Sequence, residues 1–188
     1  MTWLIIVLSY LLGSIPTAYL ASRLLSERDI RQVGDANVGA ANAYNELGAK
    51  VGVIVGLIDA AKGAAAVLIA RALNLSELTV LGAGLASVIG HNWPVFLGFR
   101  GGRGVSTTIG VLFATNLLPM LIMTIPTIVA LVLMKNVTKA MAVLFLPLSL
   151  LSWWVGLSGL LIGYSILLPV VIGVTHYFRV KQPARLNP

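Results

Sequence analysis

Residues 104–134 read GVSTTIGVLFATNLLPMLIMTIPTIVALVLM, 31 consecutive residues without a charge. One straight helix of that length exceeds the roughly 20 residues that cross a bilayer. Asn116 and Pro119 lie inside it, and both residue types interrupt helices. The stretch is therefore expected to turn back at Asn116–Pro119 and make two short spans. The number of spans, and the side on which the chain ends, hang on that break.

Outward from this stretch, further apolar segments run at about 3–25, 51–73, 78–99, 137–155 and 158–178, each near one span length. A mean hydropathy of +0.95, with 58% hydrophobic and only 10% charged residues, excludes an ordinary soluble domain. Lipid cannot satisfy backbone polar groups, so spans are helices or a closed barrel. These segments are continuous rather than alternating, and helices follow. The 188 residues leave little chain for a separate soluble part, so residues 1–188 are expected to form a single polytopic membrane domain. The N-terminus lacks a basic region and a small-residue cleavage site, and is read as a retained span.

Charge decides the parity. With seven spans and the N-terminus outside, Arg23, Arg28, Arg31, Lys50, Arg100, Arg103, Lys135, Lys139, Arg179, Lys181 and Arg185 all face the cytoplasm. Of the 13 basic residues only Arg71 then lies outside, and Lys62 falls within a span. A straight fourth segment would move the last five of the eleven outside, against the positive-inside rule. The expectation is an all-α integral membrane protein of seven transmembrane helices, C-terminus cytoplasmic. Trp3, Trp153 and Trp154 fall at outer ends, where indole rings anchor at the interface. The net charge of +7 is cytoplasmic loop charge rather than a nucleic-acid footprint. The absence of cysteine removes disulfides and thiolate chemistry.

Polar chemistry concentrates in two segments. Residues 91–107, HNWPVFLGFRGGRGVST, end in a glycine-rich turn opening directly into an apolar helix. The amides of Gly101, Gly102 and Gly104 at a helix N-terminus suit an anion, and Arg100 and Arg103 add fork-shaped donors. Asn92, Ser106 and Thr107 flank this turn, and His91 suits an orienting or proton-handling role beside it. The same pattern also describes a flexible turn with two interfacial arginines. Residues 26–50 are the only long polar stretch, expected to form a functional loop without a regular element of its own. It offers Asp35, Asn37, Asn42 and Asn45, whose side chains bind hydroxyls and phosphate oxygens or make ordinary turns. Asp59 and Lys62, three apart in the second span, share one helix face. They read either as a neutralised structural pair or as a cation for the anion site oriented by its carboxylate. His176 has no polar company in sequence and reads as an interfacial donor. No ligand set for zinc is present.

In order and spacing these motifs resemble the bacterial acyl-phosphate:glycerol-3-phosphate acyltransferases, the PlsY family. The resemblance runs from Gly13-Ser14-Ile15-Pro16 through Asp29-Ile30-Arg31 to Asn37-Val38-Gly39-Ala40 and Asn42. It continues through Asp59-x-x-Lys62-Gly63 and the block from His91 to Thr107. It implies seven spans with the N-terminus outside, in the inner membrane of a bacterial cell. It also implies transfer of a fatty acyl group from acyl phosphate to the 1-hydroxyl of glycerol 3-phosphate, yielding lysophosphatidic acid for phospholipid synthesis. Acyl phosphate, glycerol 3-phosphate and membrane lipid are the implied partners; no cofactor, metal or nucleic acid is.

The site expected from the motifs has His91, Arg103, Asn37 and Asp35 as catalytic candidates. Lys62, Arg100, Gly101, Gly102, Gly104, Asn42, Asn45, Asn92, Ser106 and Thr107 are its substrate- and phosphate-binding candidates. Lys62 and Arg103 are expected to converge on one anion. The first motif departs from the family's Gly-Ser-Gly-Asn-x-Gly-Ala-Thr-Asn-x-x-Arg. Asp35 stands for serine, Ala36 for glycine, Ala41 for threonine and Asn45 for arginine, while Arg103 replaces the lysine of the glycine turn. The exchanges at 35 and 45 make the phosphate site two charges less positive. Two other classes fit the chain: a diverged lipid or phosphometabolite binder, and a small transporter gated by Asp59–Lys62. Transport needs polar residues in several spans, and spans four to seven are almost free of charge.

Overall fold

A computed structural model describes residues 1–180. Among them ten α-helices and two 3₁₀ turns follow one another with no strand. The helices are α1 (Thr2–Ser14), α2 (Thr17–Ser26), α3 (Ala40–Leu47), α4 (Ala49–Ala72) and α5 (Glu77–Asn92), then α6 (Val105–Thr115), α7 (Leu117–Met134), α8 (Val137–Phe145), α9 (Leu148–Trp154) and α10 (Gly159–Val180). Six stretches are long and apolar enough to cross a membrane: Thr2–Ser26, Ala49–Ala72, Glu77–Leu97, Leu117–Met134, Val137–Trp154 and Gly159–Arg179. The fourth apolar segment is indeed interrupted at Asn116, whose backbone (φ −121°, ψ 51°) leaves the helical region between α6 and α7. At 1.5 Å per residue, α6 is only about 16 Å long, short for a hydrocarbon core of about 30 Å.

The helices gather into two compact units, one of Met1–Val111 with the described chain from Ile172, the other of Leu112–Val171. In the first unit α5 is the central helix, with two-thirds of its span buried against 28–39% for the first and second spans. It packs on α1 and on α4. Small residues let these backbones approach, the usual device where lipid supplies no hydrophobic drive between helices. A Cβ built on Gly13 would lie 2.0 Å from the Ser87 carbonyl, and one on Gly90 2.2 Å from the Tyr10 carbonyl. The α4–α6 contact repeats this reciprocity, with Gly63 against Thr107 and Gly110 against Ala60.

Proline breaks the first span. Ile15 precedes Pro16 and is pushed to ψ 115°, out of the helical region. The break frees the Ile15 carbonyl, which the site below uses. In the second unit α7 packs on α8 and α9. Pro126 lies inside α7, and beside it Thr127 Oγ1 donates to the Met123 carbonyl at 2.7 Å. Buried Asn116 donates from Nδ2 to Ser152 Oγ and to the Leu161 carbonyl, both at 3.3 Å.

The segment 26–50 differs from expectation. It holds a 3₁₀ turn, Ile30–Gln32, and the helix α3. Its asparagines favour no exposed helix, although Ala40, Ala41 and Ala43 do, and α3 buries Asn42 and Ala43 and packs on α4. Gly52 of α4 meets the Tyr44 backbone so closely that a Cβ would come within 2.4 Å of it. Tertiary packing supplies what propensity lacks.

Gly90→Ala and Gly110→Ala are expected to destabilise the protein by about 1–3 kcal/mol, because an added Cβ meets backbone that must move. At Gly173 the same change meets nothing within 4 Å. There it should be neutral or raise the melting temperature, since alanine is the better helix former by about 1 kcal/mol. Thermal unfolding of the three variants in detergent checks the opposite signs.

Candidate active site

The loop from Trp93 to Gly104 folds back over the C-terminal end of α5. The Gly101 amide donates to the Asn92 carbonyl (3.2 Å) and the Gly102 amide to the His91 carbonyl (3.0 Å). These amides, expected to face an anion, instead satisfy the last carbonyls of a helix. Glycine is required here by close approach: a Cβ on Gly102 would lie 2.1 Å from His91 Nε2. Gly104, at φ +82° against Asn92 Oδ1, turns the chain into α6.

Beneath the loop lies a buried charge network. Asp59 is 1% exposed and Lys62 5%. Asp59 Oδ1 accepts from Lys62 Nζ at 2.8 Å and from Thr17 Oγ1 at 2.9 Å, and lies 3.6 Å from His91 Nδ1. Lys62 Nζ also donates to the Ile15 carbonyl freed by the proline break, at 2.9 Å. Lys62 is thus committed to its own helix face and to the break in the first span, away from the loop. Its contacts are with Asp59 and the Ile15 carbonyl, whereas Arg103 pairs with Asp35.

Arg103 leaves the loop for the first polar segment, where its guanidinium pairs with Asp35 at 2.9 Å. The Arg103 Nε is buried without a hydrogen-bond partner, as are Asn37 Oδ1, Asn92 Oδ1 and Thr107 Oγ1. Asn37 donates its backbone N–H to Asp35 Oδ1 (3.2 Å) and keeps its side chain in this group. Asn42 is a staple rather than a ligand. Its Nδ2 donates to the carbonyls of Ile30, Val33 and Asn37, and its Oδ1 accepts the Asp35 amide. Asn45 is exposed on α3 and makes no bond to the cluster. Arg100 is likewise exposed and forms no ion pair among the described residues. Ser106 is half-buried on the first turn of α6, 3.8 Å from where a Gly56 side chain would start.

The end of α10 completes the site, and the sequence reading missed it. Asn92 Nδ2 donates to Thr175 Oγ1 at 3.0 Å. Arg179 donates from its two terminal nitrogens to the carbonyls of Gly101 and Asn92. His176, far from lacking polar company, lies within electrostatic range of both Arg103 and Asp35. Thr175 and His176 each lie one turn before Arg179 on α10. That spacing was the available signal, masked by apolar flanks. Among the described residues no group of three metal-ligating side chains occurs.

At the membrane edge, Asp29 binds Arg31 bidentately, Oδ1 to Nε at 3.0 Å and Oδ2 to a terminal nitrogen at 2.7 Å. Arg23 approaches the same carboxylate at 3.7 Å, and both guanidinium groups lie over the Tyr19 ring. The Arg31 hydrogen bonds hold the Asp29 carboxyl below its usual value against the opposing effect of burial, and Asp29 raises Arg31 in return.

The comparisons with known proteins agree with this architecture. Residues 3–184 match the family model described as glycerol-3-phosphate acyltransferase. Glycerol-3-phosphate acyltransferase 4 of Dehalococcoides mccartyi is 49% identical over 182 residues, covering 97% of this chain and 98% of the relative. The glycerol-3-phosphate acyltransferase of Geotalea daltonii is 35% identical, covering 95% and 91%. Among solved structures, the glycerol 3-phosphate form of PlsY, an integral membrane glycerol 3-phosphate acyltransferase, superposes with a TM-score of 0.86 at 32% identity, covering 95% and 90%. Its lysophosphatidic acid form gives 0.84 at 30%, covering 95% and 89%. The chain belongs to the glycerol-3-phosphate acyltransferase family, and is a multi-pass membrane acyltransferase of phospholipid synthesis.

Asp59→Ala should cost about 3–5 kcal/mol, because it strands a buried ammonium, whereas the double change Asp59→Leu with Lys62→Met should recover most of that loss. Thermal melting of the two variants separates pair from charge. For Asp29 the depressed folded value means its contribution is present above the ordinary carboxylate value near 3.9 and lost as pH falls through the folded one. Melting temperature should therefore fall on acidification below about pH 4, less steeply in Asp29→Asn.

Proposed function

We propose that this enzyme joins acyl phosphate and glycerol 3-phosphate at the cytoplasmic surface of the bacterial inner membrane. The observation that carries the reading is the meeting of Arg103, His176 and Arg179 around the loop 101–104, with Asp35 as the carboxylate paired there. The 1-hydroxyl oxygen of glycerol 3-phosphate attacks the acyl carbon, and the carbonyl electron pair moves onto oxygen. Collapse re-forms the carbonyl and breaks the bond to phosphate, which leaves with the electron pair and takes the hydroxyl proton. The products are lysophosphatidic acid and inorganic phosphate.

Acyl phosphate brings its own leaving group, so the protein's task is to hold two anions together and stabilise the developing oxyanion. Arg103 supplies charge-assisted donors at this point, and the orphaned Asn37 and Asn92 oxygens suit the acceptor's hydroxyls. His91, fixed by Asp59, sets the loop's position. Lys62 acts at a distance, through Asp59. The alternation of basic residues supports a single polytopic domain of seven spans, N-terminus outside, with α6 as the short span before the break at Asn116.

Purified protein given acyl phosphate and glycerol 3-phosphate should release lysophosphatidate and phosphate in equal amounts. Hydrolysis of acyl phosphate without lysophosphatidate would refute the acceptor. The chain has no cysteine, so Glu27→Cys, Leu117→Cys and Val137→Cys report topology cleanly with an impermeant thiol reagent. Positions 27 and 137 should label only from the cytoplasm and 117 only from outside; labelling of 117 from the cytoplasm alone sinks the seven-span arrangement.

A further inference from the structure

The second unit carries a charge imbalance that acyl transfer does not use. Between Leu112 and Val171 the chain has two lysines, Lys135 and Lys139, and no arginine, aspartate or glutamate. Both lysines are exposed at the turn between α7 and α8, and neither ammonium has an ion-pair partner among the described residues. The turn itself is fixed. Lys135 ends α7 in the left-handed region at φ +47°, its amide bonded to the Leu131 carbonyl at 3.0 Å. Asn136 Oδ1 then caps α8 by accepting the Lys139 amide at 3.0 Å.

Beside this turn runs an apolar groove of about 450 Å³, lined by Met134 of α7 and by Lys139, Ala142, Val143, Leu146 and Pro147. From Lys139 to Leu146 these residues recur three and four apart, so they share one helix face. Short side chains at 142 and 143 keep the floor of the groove low. Lys139 enters the lining through its aliphatic stem, which leaves the ammonium at the mouth. Leu133 beside the groove is 77% exposed and Leu146 79%, on two stretches apolar enough to cross a membrane. An occupant therefore has a hydrocarbon body. From Lys139 to Leu146 the chain rises about 10 Å, which carries the groove from headgroup depth into the hydrocarbon.

We propose that this groove binds one anionic phospholipid from the leaflet in which the turn lies. Its phosphate sits at Lys139 and Lys135, and one acyl chain lies along the face of α8 that ends at Pro147. Two unpaired cations over an apolar trough complement an anion joined to hydrocarbon. A soluble phosphate would leave the trough unfilled, and a zwitterionic lipid would set its own ammonium against the lysines. The assignment is independent of the acyl-transfer reading, whose motifs include none of these residues.

The test incubates full-length protein, purified in detergent, with equal concentrations of phosphatidylglycerol and phosphatidylcholine of identical chains. Native mass spectrometry counts the lipid retained, and thermal unfolding with each lipid gives a second readout, since a ligand of the folded state raises the melting temperature. Two lysines at the membrane surface should favour the anionic lipid by about 10- to 30-fold. Lys135→Gln and Lys139→Gln should each lower that preference about fivefold, and the double variant should remove most of it. Lys50→Gln, which removes an exposed lysine of the first unit, should leave it unchanged. Ala142→Phe fills the groove from an exposed position and should cut phosphatidylglycerol retention severalfold with both lysines in place. All four positions are exposed, so the lipid-free melting temperatures should match that of the unchanged protein.

Equal retention of the two lipids by the unchanged protein overturns the proposal. So does an equal loss in Lys50→Gln, the signature of diffuse attraction to a basic surface, or phosphatidylglycerol retention that survives Ala142→Phe. Acyl phosphate that displaces phosphatidylglycerol, with its KM raised about tenfold in the double lysine variant, gives the groove to the reaction's donor and also overturns the assignment. Lost phosphatidylglycerol retention with an unchanged KM for acyl phosphate supports it.

Discussion

A carboxylate buried inside a membrane helix has no water to turn to, and Asp59 meets that constraint by recruiting donors from three helices. Thr17 comes from α2, Lys62 from α4 itself and His91 from α5, all toward one oxygen. Removing any partner leaves a charge where the alternative is hydrocarbon, so the arrangement is fixed far more firmly than a surface ion pair. The proline break in the first span belongs to the same solution. It removes helical hydrogen bonding at Ile15, and the carbonyl so released accepts from the Lys62 ammonium. Each defect satisfies the other.

From this hub the geometry passes outward to the surface. His91 is held by Asp59 on one ring nitrogen and abuts Gly102 with the other, so the depth of the buried pair sets the height of the loop. Glycines at the α1–α5 and α4–α6 crossings keep these helices close enough for the short side chain of Asp59 to reach across. The loop then spends its Gly101 and Gly102 amides on α5, and its Arg103 side chain reaches Asp35 in the first polar segment.

Much of this was legible in the sequence. Apolar segments of span length mark every long helix, and Asn116 marks the interruption in the uncharged stretch 104–134. Asp59 and Lys62 announce an interior pair by depth and spacing alone. What could not be read is which polar residue faces a ligand and which faces the chain. Asn42 has the composition of a ligand residue, but three carbonyls of its own loop surround it. Lys62 looks like a spare cation until the Ile15 carbonyl appears, and that carbonyl depends on a break 47 residues away. His176 and Arg179 sit in an apolar helix end where positive charge is routine, and only folding brings them beside residues 91–103. Local periodicity carries no information on such distant juxtapositions.

The exchange at position 35 shows how far a single charge can be absorbed. The Asp35 carboxylate is not loose: Oδ1 accepts the Asn37 amide, its own amide is held by Asn42, and Ala36 beside it adopts φ +57°, where the family pattern has glycine. At 4 Å and an effective dielectric near 20, a carboxylate opposes each incoming unit charge by about 4 kcal/mol. Left alone, that repulsion outweighs a charged hydrogen bond of about 1.5–3 kcal/mol from Arg103. The Arg103 guanidinium, 2.9 Å from Asp35, is the counter-charge that the structure supplies to that carboxylate.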